Sequence, residues 1–213
     1  MPSPWIDVSV PLKTGMVHWP GDPAAFIEPV RHLDRGDSST VSSLQMGVHT
    51  GTHMDAPAHF VRGGATIDAL PLDAVVGRAR VIDIRARGAI RPAHLLGHRI
   101  RAGERLLFKT RNSTRCWGTD EFVTDFVHIG ADAARWRVAR RVRVVGVDYL
   151  SVGGYKTDGR ETHLALLGAG IWVIEGLNLR GVRPGPVDLI CLPLQLIGAE
   201  GAPARALVRL RGR

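Results

Sequence analysis

Hydrophobic positions along the chain fall mostly into short runs rich in β-branched residues, separated by Gly- and Pro-containing segments. Such runs are typical of strands. They predict strands at 5–10, 41–48, 80–85, 105–110, 141–147, 171–175, 187–192 and 205–210. Helical spacing is rarer and predicts helices at 91–98, 119–127, 131–140 and 162–167. Because strands and helices mix without strict βαβ alternation, we expect an α/β fold: one domain over 1–213 with a mixed sheet.

The composition narrows the class of protein. The chain has 213 residues, of which 45% are hydrophobic, so it can bury a sizeable core and is not a disordered chain. No apolar run approaches the ~20 residues of a membrane-spanning helix, and the N-terminal residues lack the pattern of a signal peptide. With only Cys116 and Cys191, a disulfide framework is not expected, and the reducing cytoplasm is the predicted location.

The net charge of +8 raises the question of nucleic-acid binding. Of 28 basic residues only three are lysines, which leaves 25 arginines, dispersed from Arg31 to Arg213. No zinc-finger spacing or RNA-binding aromatic signature accompanies them, so we expect a solvated basic surface and no nucleic-acid partner. The charge could still attract an anionic substrate. Glycine-rich nucleotide-binding fingerprints are absent from the sequence.

The chemistry is concentrated in the segment 49–59, which contains His49, His53, Asp55 and His59. The helical H-x-x-x-H reading fails because Thr50 replaces the expected glutamate, and Gly51 and Pro57 disfavour a helix. In an extended segment alternate residues share a face, and all four ligand-type residues are odd-numbered. The pattern therefore favours a metal site over surface or hydrogen-bonded core histidines.

Distance leaves two arrangements open. Four residues of straight strand span ~13 Å, too far for His49 and His53 to bind one ion at ~2.1 Å. Either a bend at Gly51 brings them together, or they serve two neighbouring ions. Imidazole and carboxylate ligands suit Zn²⁺ or Mn²⁺.

Further ligands must come from elsewhere in the chain. His163 begins an apolar helical stretch, and Glu175 closes the apolar run 171–174. A buried charge at that place is costly unless it is paired or metal-bound. The alternatives are that His163 is an ordinary histidine at a helix N-terminus and that Glu175 forms a salt bridge at a strand end.

Other candidate residues are set aside. His94 and His98 stand among arginines and are expected to face solvent, and Cys116 is expected to be an ordinary cysteine without a base.

The segment His49-Thr50-Gly51-Thr52-His53-Met54-Asp55-Ala56-Pro57-Ala58-His59 resembles the H-x-G-T-H-x-D-x-P-x-H signature of the metal-dependent cyclase family, which includes bacterial kynurenine formamidases and isatin hydrolases. The resemblance extends over nearly the whole chain. It also rests on Trp19-Pro20-Gly21-Asp22, Val145-Gly146-Val147-Asp148, His163-Leu164-Ala165-Leu166-Leu167, Ile174-Glu175-Gly176-Leu177, Leu192-Pro193-Leu194 and Gly201-Ala202-Pro203-Ala204-Arg205.

This resemblance implies a set of roles. His49, His53, Asp55, His163 and Glu175 would be the metal ligands. His59 would be the general base and acid close to the metal. The family also implies a swivelling β/β/α fold and a homodimer.

The resulting hypothesis is metal-assisted hydrolysis of an amide, with the aryl-formamide N-formylkynurenine as the leading substrate. Trp19 and Phe60 are candidates for stacking on an aromatic substrate, or are ordinary core aromatics. Asp148-Tyr149-Leu150-Ser151 differs from the D-T-x-S of kynurenine formamidases, and Glu200 stands where the family suggests Asp. A cyclic-amide or lactone hydrolase of the isatin-hydrolase kind and a non-catalytic metal-binding protein are the alternatives.

Overall fold

The computed structural model describes residues 4–138 and 141–212. Its α/β class and mixed sheet agree with the expectation from the sequence. The strands are β1 (Trp5–Asp7), β2 (Phe26–Arg31), β3 (Val41–Gln45), β4 (His53–Asp55), β5 (Val76–Asp83), β6 (Ala89–Ile90), β7 (Arg105–Lys109), β8 (His128–Ile129), β9 (Val144–Val147), β10 (Trp172–Glu175), β11 (Gly185–Pro193) and β12 (Gly201–Leu210).

Within the described residues, eight strands form one sheet in the order β1-β12-β11-β5-β7-β9-β10-β4. The four strands β5, β7, β9 and β10 run parallel to one another, and the remaining pairings of this sheet are antiparallel. The first residues of β12 also pair with β4, so seven of these strands close into a barrel. Closure gives each of these seven strands a neighbour on both sides, and β1 remains as an edge strand beside β12.

Side chains alternate between the two faces of the barrel wall. Leu107, Ile174 and Met54 belong to the apolar core inside the barrel. The alternate residues Phe108 and Val173 pack outward, in the layer that also contains the apolar side chains of the two longer helices. By the same alternation, His53 and Asp55 in β4 and Glu175 in β10 point out of the barrel. These candidate metal ligands therefore lie on the face that the helices cover.

The helices are α1 (Leu72–Val75), α2 (Asn112–Arg115), α3 (Ala131–Val138) and α4 (Gly159–Leu167). Short 3-10 turns cover Leu33–Arg35, Pro57–His59, Ile67–Ala69, Pro92–His94, Leu96–His98 and Cys116–Gly118. The prediction of a helix at 131–140 holds as far as 138, and its last two residues lie outside the described residues. The short helix predicted at 162–167 begins three residues earlier, at Gly159.

Two predicted helices are wrong. The segment 91–98 forms two 3-10 turns, in which the His94 ring accepts a hydrogen bond from the Arg91 backbone N–H. The segment 119–127 is irregular because side chains satisfy its backbone instead of a helix. The Asn112 side chain donates to the Val127 carbonyl and accepts from the Val127 N–H, while the Tyr149 hydroxyl accepts from the Val123 N–H.

The strand predicted at 41–48 is present only as β3, which forms a separate two-stranded hairpin with β2. Every residue of both strands is exposed, including the apolar residues Phe26, Ile27, Val30, Val41 and Leu44. The hairpin therefore contributes nothing to the buried core. In the described part of the chain, no helix has the length and apolar character needed to cross a membrane.

Candidate metal centre

The segment 49–59 is a turn followed by a short strand, and it is extended only over β4. Gly51 has a φ of +67°, a left-handed conformation that favours glycine. Of the two arrangements left open by the sequence, the structure contains the bend: the rings of His49 and His53 lie 5.2 Å apart. The Thr52 hydroxyl fixes this turn, because it accepts from the Val10 N–H and donates to the Gly176 carbonyl.

Strand pairing brings Glu175 to the same place. In the antiparallel pair β4–β10, Glu175 lies directly across from His53, and the His53 Nε2 is 3.2 Å from a Glu175 carboxylate oxygen. From α4, the His163 Nε2 reaches 3.3 Å from Glu175 and 3.8 Å from Asp55. The two residues from the second half of the chain therefore meet the residues of segment 49–59, in the arrangement that the sequence suggested.

Backbone carbonyls orient two of the rings. The Nδ1 of His53 lies 3.0 Å from the Gly51 carbonyl oxygen, and the Nδ1 of His163 lies 2.6 Å from that of Gly159. If each Nδ1–H donates to its carbonyl, each Nε2 faces the carboxylates, where it carries a proton without metal and can bind a cation once that proton leaves. Metal-binding histidines in proteins are commonly held in this way.

The polar atoms left without partners fit a cation. His49 Nε2, His53 Nε2 and Asp55 Oδ2 are buried and lack a hydrogen-bond partner. Buried polar groups are normally satisfied, since an unpaired one costs about 1–3 kcal/mol. Two carboxylates, Asp55 and Glu175, are also buried at this point. The donor set of imidazoles and carboxylates is therefore arranged as a divalent ion requires.

The pKa values reflect the competition between burial and the opposite charges. Burial lowers the pKa of His53, but the carboxylates of Asp55 and Glu175 outweigh it and raise the pKa to about 10. Burial also acts against the charged form of His163, whose pKa is raised by Glu175. Conversely, burial disfavours the Asp55 carboxylate, yet His49 and His53 hold its pKa well below the usual value. A proton on His53 thus holds the two carboxylates together when no metal is bound.

His59 lies at the end of the 3-10 turn Pro57–His59, so the rigid turn expected after Asp55 is present. Its ring stacks on that of His49, with centroids 3.9 Å apart, and burial lowers its pKa below the ordinary value. The ligand atoms form two close groups, His49–Asp55–His59 and His53–Asp55–Glu175, which share Asp55. The geometry alone therefore allows two ions, and it allows His59 as a ligand or as a base.

A pocket of about 390 Å³ opens onto this cluster, a size within the usual range for small-molecule sites. Both candidate aromatic residues line it. Phe60 stacks on the His163 ring at 4.3 Å, and Trp19 packs edge-on against Phe122 and Tyr155. The spacing of the remaining lining residues in the sequence does not indicate that they share a site. They are Asp22, Leu150, Ser151, Gly154, Lys156, Thr157, Gly159 and Arg160.

The remaining candidates lie apart from the cluster. Cys116 is buried, and burial raises the pKa of its thiol to about 11, so it is an ordinary cysteine as the sequence indicated. His94 is exposed and binds only the backbone of its own turn, whereas His98 is half-buried, contrary to the expectation of a solvent-facing ring.

Comparisons with known proteins agree with this arrangement. The Cyclase family model matches residues 6–153, which is more than half of the chain. The chain belongs to the Cyclase family. The kynurenine formamidase of Salinibacter ruber is 38% identical over 206 residues, which cover 96% of each protein.

Solved structures of similar proteins extend the comparison. One, described as a potential metal-dependent hydrolase with cyclase activity, is 33% identical, has a TM-score of 0.86 and covers 99% of both chains. Isatin hydrolase A from Ralstonia solanacearum has a TM-score of 0.85 at 24% identity, covering 98% of this chain and 92% of its own. The latter likeness extends to the fold alone.

Proposed function

We propose that this Cyclase family chain, as one catalytic domain over 1–213, is a metal-dependent amidohydrolase that removes the formyl group from an aryl-formamide, with N-formylkynurenine as the leading substrate. One observation carries the proposal: buried imidazole nitrogens and a carboxylate oxygen without partners belong to a cluster whose members His49, His163 and Glu175 line a pocket together with aromatic side chains. The kynurenine formamidase relative at 38% identity supports the choice of reaction.

The proposed ligands are His49, His53, Asp55, His163 and Glu175. Zn²⁺ or Mn²⁺, as one or two ions, would supply Lewis-acid chemistry that makes water a nucleophile near neutral pH. The Asp55 and Glu175 carboxylates balance the charge of the ion, and the Gly51 and Gly159 carbonyls hold the His53 and His163 rings in place. Asp55 lies within reach of His49 and of His53, so its carboxylate could serve one ion or bridge two.

We assign proton transfer to His59. Its ring lines the pocket beside His49, and its lowered pKa keeps it unprotonated and able to accept a proton from water near neutral pH. The same nitrogen can return that proton to the leaving amine. Trp19 and Phe60 flank the pocket and would stack on the aryl ring of the substrate.

The proposal is tested by purifying the protein without added metal, measuring its metal content, and assaying N-formylkynurenine, isatin and simple lactones with Zn²⁺ or Mn²⁺. We expect metal-dependent release of formate from N-formylkynurenine. If the protein at full metal occupancy hydrolyses none of these compounds, the amidohydrolase proposal is refuted. The alternative of a non-catalytic metal-binding protein would then remain.

His59→Ala separates base from ligand. We expect the variant to keep its metal while kcat falls by ~10²–10⁴, the usual loss for a general acid–base group. Metal content and activity are measured on the same preparation. Metal lost in step with activity would make His59 a ligand, and unchanged activity with metal retained would remove it from the mechanism.

A cyclic-amide hydrolase of the isatin-hydrolase kind is the second candidate. It is favoured by Tyr149, which replaces the Thr of the D-T-x-S pattern directly before the pocket-lining residues Leu150 and Ser151. Turnover of isatin above that of N-formylkynurenine in the assay described above would select it.

The homodimer stays a prediction, as do the cytoplasmic location and the swivelling β/β/α classification. The exposed apolar residues of the β2–β3 hairpin support an association of two copies, since an isolated hairpin is only marginally stable in water. Light scattering of the purified protein, with Leu44→Ser as the disrupting variant, tests the dimer.

A further inference from the structure

Three charged residues at the pocket have no role in the proposed reaction. Lys156, Arg160 and Asp22 line the same pocket as His59 and Glu175, and all three are solvent-exposed. The ion pairs found among the described residues include none of these three. The Lys156 ammonium lies 5.1 Å from the centre of the Tyr155 ring, a contact that leaves its charge uncompensated.

Several other arginines of this chain are paired with carboxylates. Arg80 binds Glu104 at 2.6 Å, Arg143 binds Asp73 at 2.8 Å, and Arg209 binds Asp188 at 2.9 Å. Two cations left unpaired beside a cluster built for a divalent cation oppose the charge of that cation. An anionic group in the pocket would relieve this repulsion.

The local structure directs positive charge into the pocket. Arg160 is the second residue of α4 and lies three positions before His163, so it stands one turn from the cluster on the same helix. Gly159, the first residue of α4, also lines the pocket, and the helix N-terminus carries partial positive charge. Lys156 is held at a φ of +54°, an uncommon conformation for a non-glycine residue.

We propose that Arg160 and Lys156 bind the carboxylate, and Asp22 the ammonium group, of an α-amino acid side chain on the substrate. This inference rests on the proposed function, because it assumes that the formamide end reaches the metal cluster. The aryl ring would then lie by Trp19 and Phe60, and the charged tail would reach the two cations. A guanidinium binds a carboxylate through two parallel hydrogen bonds, which makes Arg160 the main determinant of selectivity.

The test compares three aryl-formamides that differ in the charged groups of the side chain. N-formylkynurenine carries both charged groups, 4-(2-formamidophenyl)-4-oxobutanoate carries only the carboxylate, and 2-formamidoacetophenone carries neither. For Arg160→Gln, the ratio of kcat/KM for the carboxylate substrates to that for 2-formamidoacetophenone should fall by ~10–100-fold, the loss of a charge-assisted hydrogen bond. Lys156→Gln should lower the same ratio less. Asp22→Asn should lower only the preference for N-formylkynurenine over the oxobutanoate.

Arg183→Gln is the matched control, because it removes one positive charge from an exposed arginine that does not line the pocket. It should leave the ratios unchanged. Equal kcat/KM ratios in Arg160→Gln and the wild type would overturn the subsite. An equal fall of the ratio in Arg160→Gln and Arg183→Gln would also overturn it, because long-range attraction by the net charge would then explain the effect.

The proposed function can fail separately. If the wild type hydrolyses none of the three formamides, the proposed reaction is refuted. The subsite is then tested by calorimetry, which measures the binding of kynurenine and of 2-aminoacetophenone. Weaker binding of kynurenine alone by Arg160→Gln would support the subsite, and unchanged binding would refute it.

Discussion

Asp55 and Asp148 are both buried at the end of a strand, but their surroundings differ. Asp148 accepts hydrogen bonds from the backbone N–H and hydroxyl of Thr110 and of Ser113, between 2.7 and 3.1 Å. Asp55 instead faces histidines and keeps one carboxylate oxygen without a partner. The protein itself supplies all the hydrogen-bond donors that Asp148 needs. Asp55 has an oxygen that only a bound ligand would satisfy.

The pKa values of the two aspartates separate in the same way. Burial raises the pKa of Asp148, and the neutral donors of Thr110 and Ser113 compensate only in part. Burial also acts on Asp55, but hydrogen bonds and electrostatic attraction from His49 and His53 hold its pKa well below the usual value. A buried carboxylate stays ionised beside cations, and this is the property that a metal ligand needs.

The largest effect is expected for His53→Ala. The variant should lose metal, and kcat/KM should fall by roughly 10³-fold or more, because a water without a metal keeps its high pKa. Metal analysis and steady-state kinetics check this result. His94→Ala, which removes an exposed ring outside the cluster, is the control and should keep both metal and activity. Full metal occupancy in His53→Ala would contradict the ligand assignment.

Asp148→Asn tests whether Asp148, unlike Asp55, serves the stability of the fold. The amide places an NH₂ group against hydroxyl and N–H donors, so the free energy of unfolding should fall by about 1–3 kcal/mol. For a chain of this size that corresponds to a decrease in Tm of about 2–4 °C per kcal/mol. The metal content should be unchanged. A loss of metal without a loss of stability would mean that Asp148 serves the site and not the fold.

Gly176→Ala tests how the turn at Gly51 is held. Gly176 has a φ of +72°, and a Cβ there would lie 1.9 Å from the Gly51 carbonyl oxygen. The substitution should displace the turn and weaken metal binding by ~10–100-fold, the range seen when groups that orient metal ligands are lost. Gly170→Ala is a close control, since Gly170 has the same φ but open space around it. It should lower stability and leave metal affinity intact, whereas equal affinities in both variants would exclude the contact.

The smallest expected effect is the release of protons when the metal binds. In the metal-free protein the pKa of His53 is about 10, raised from 6.5, so the stability that its proton contributes is fully present below pH 6.5 and is lost as the pH rises through about 10. A metal must displace that proton. Metal binding at pH 8 should therefore release at least one proton, measured by calorimetry in buffers of different ionisation enthalpy. Binding without proton release would place the metal elsewhere.

Much of the fold and of the site could be predicted from local patterns. Alternation in the 53–55 strand put His53 and Asp55 on one face, and Gly51 indicated the bend. The apolar run that ends at Glu175 correctly indicated a buried charge in need of a partner. These features depend on neighbours in the sequence, which is why the sequence reveals them.

The rest depends on long-range contacts. The segment 119–127 has helical spacing, yet it is held open by Asn112 and Tyr149, which no local pattern connects to it. Closure of the barrel by β12 and β4 joins residues about 150 positions apart. Arg160 lies beside the cluster because α4 packs on the barrel wall, and Lys156 belongs to the segment that leads into α4, so their position at the pocket could not be inferred from a dispersed set of basic residues.

Metal content of the wild type, Asp55→Asn and Asp148→Asn, purified in parallel and loaded with Zn²⁺ or Mn²⁺, tests the central claim most directly. We predict that the wild type and Asp148→Asn bind the same number of ions, and that Asp55→Asn, which removes the carboxylate shared by both ligand groups, binds fewer or none. Equal metal content in all three proteins would contradict the assignment of the site.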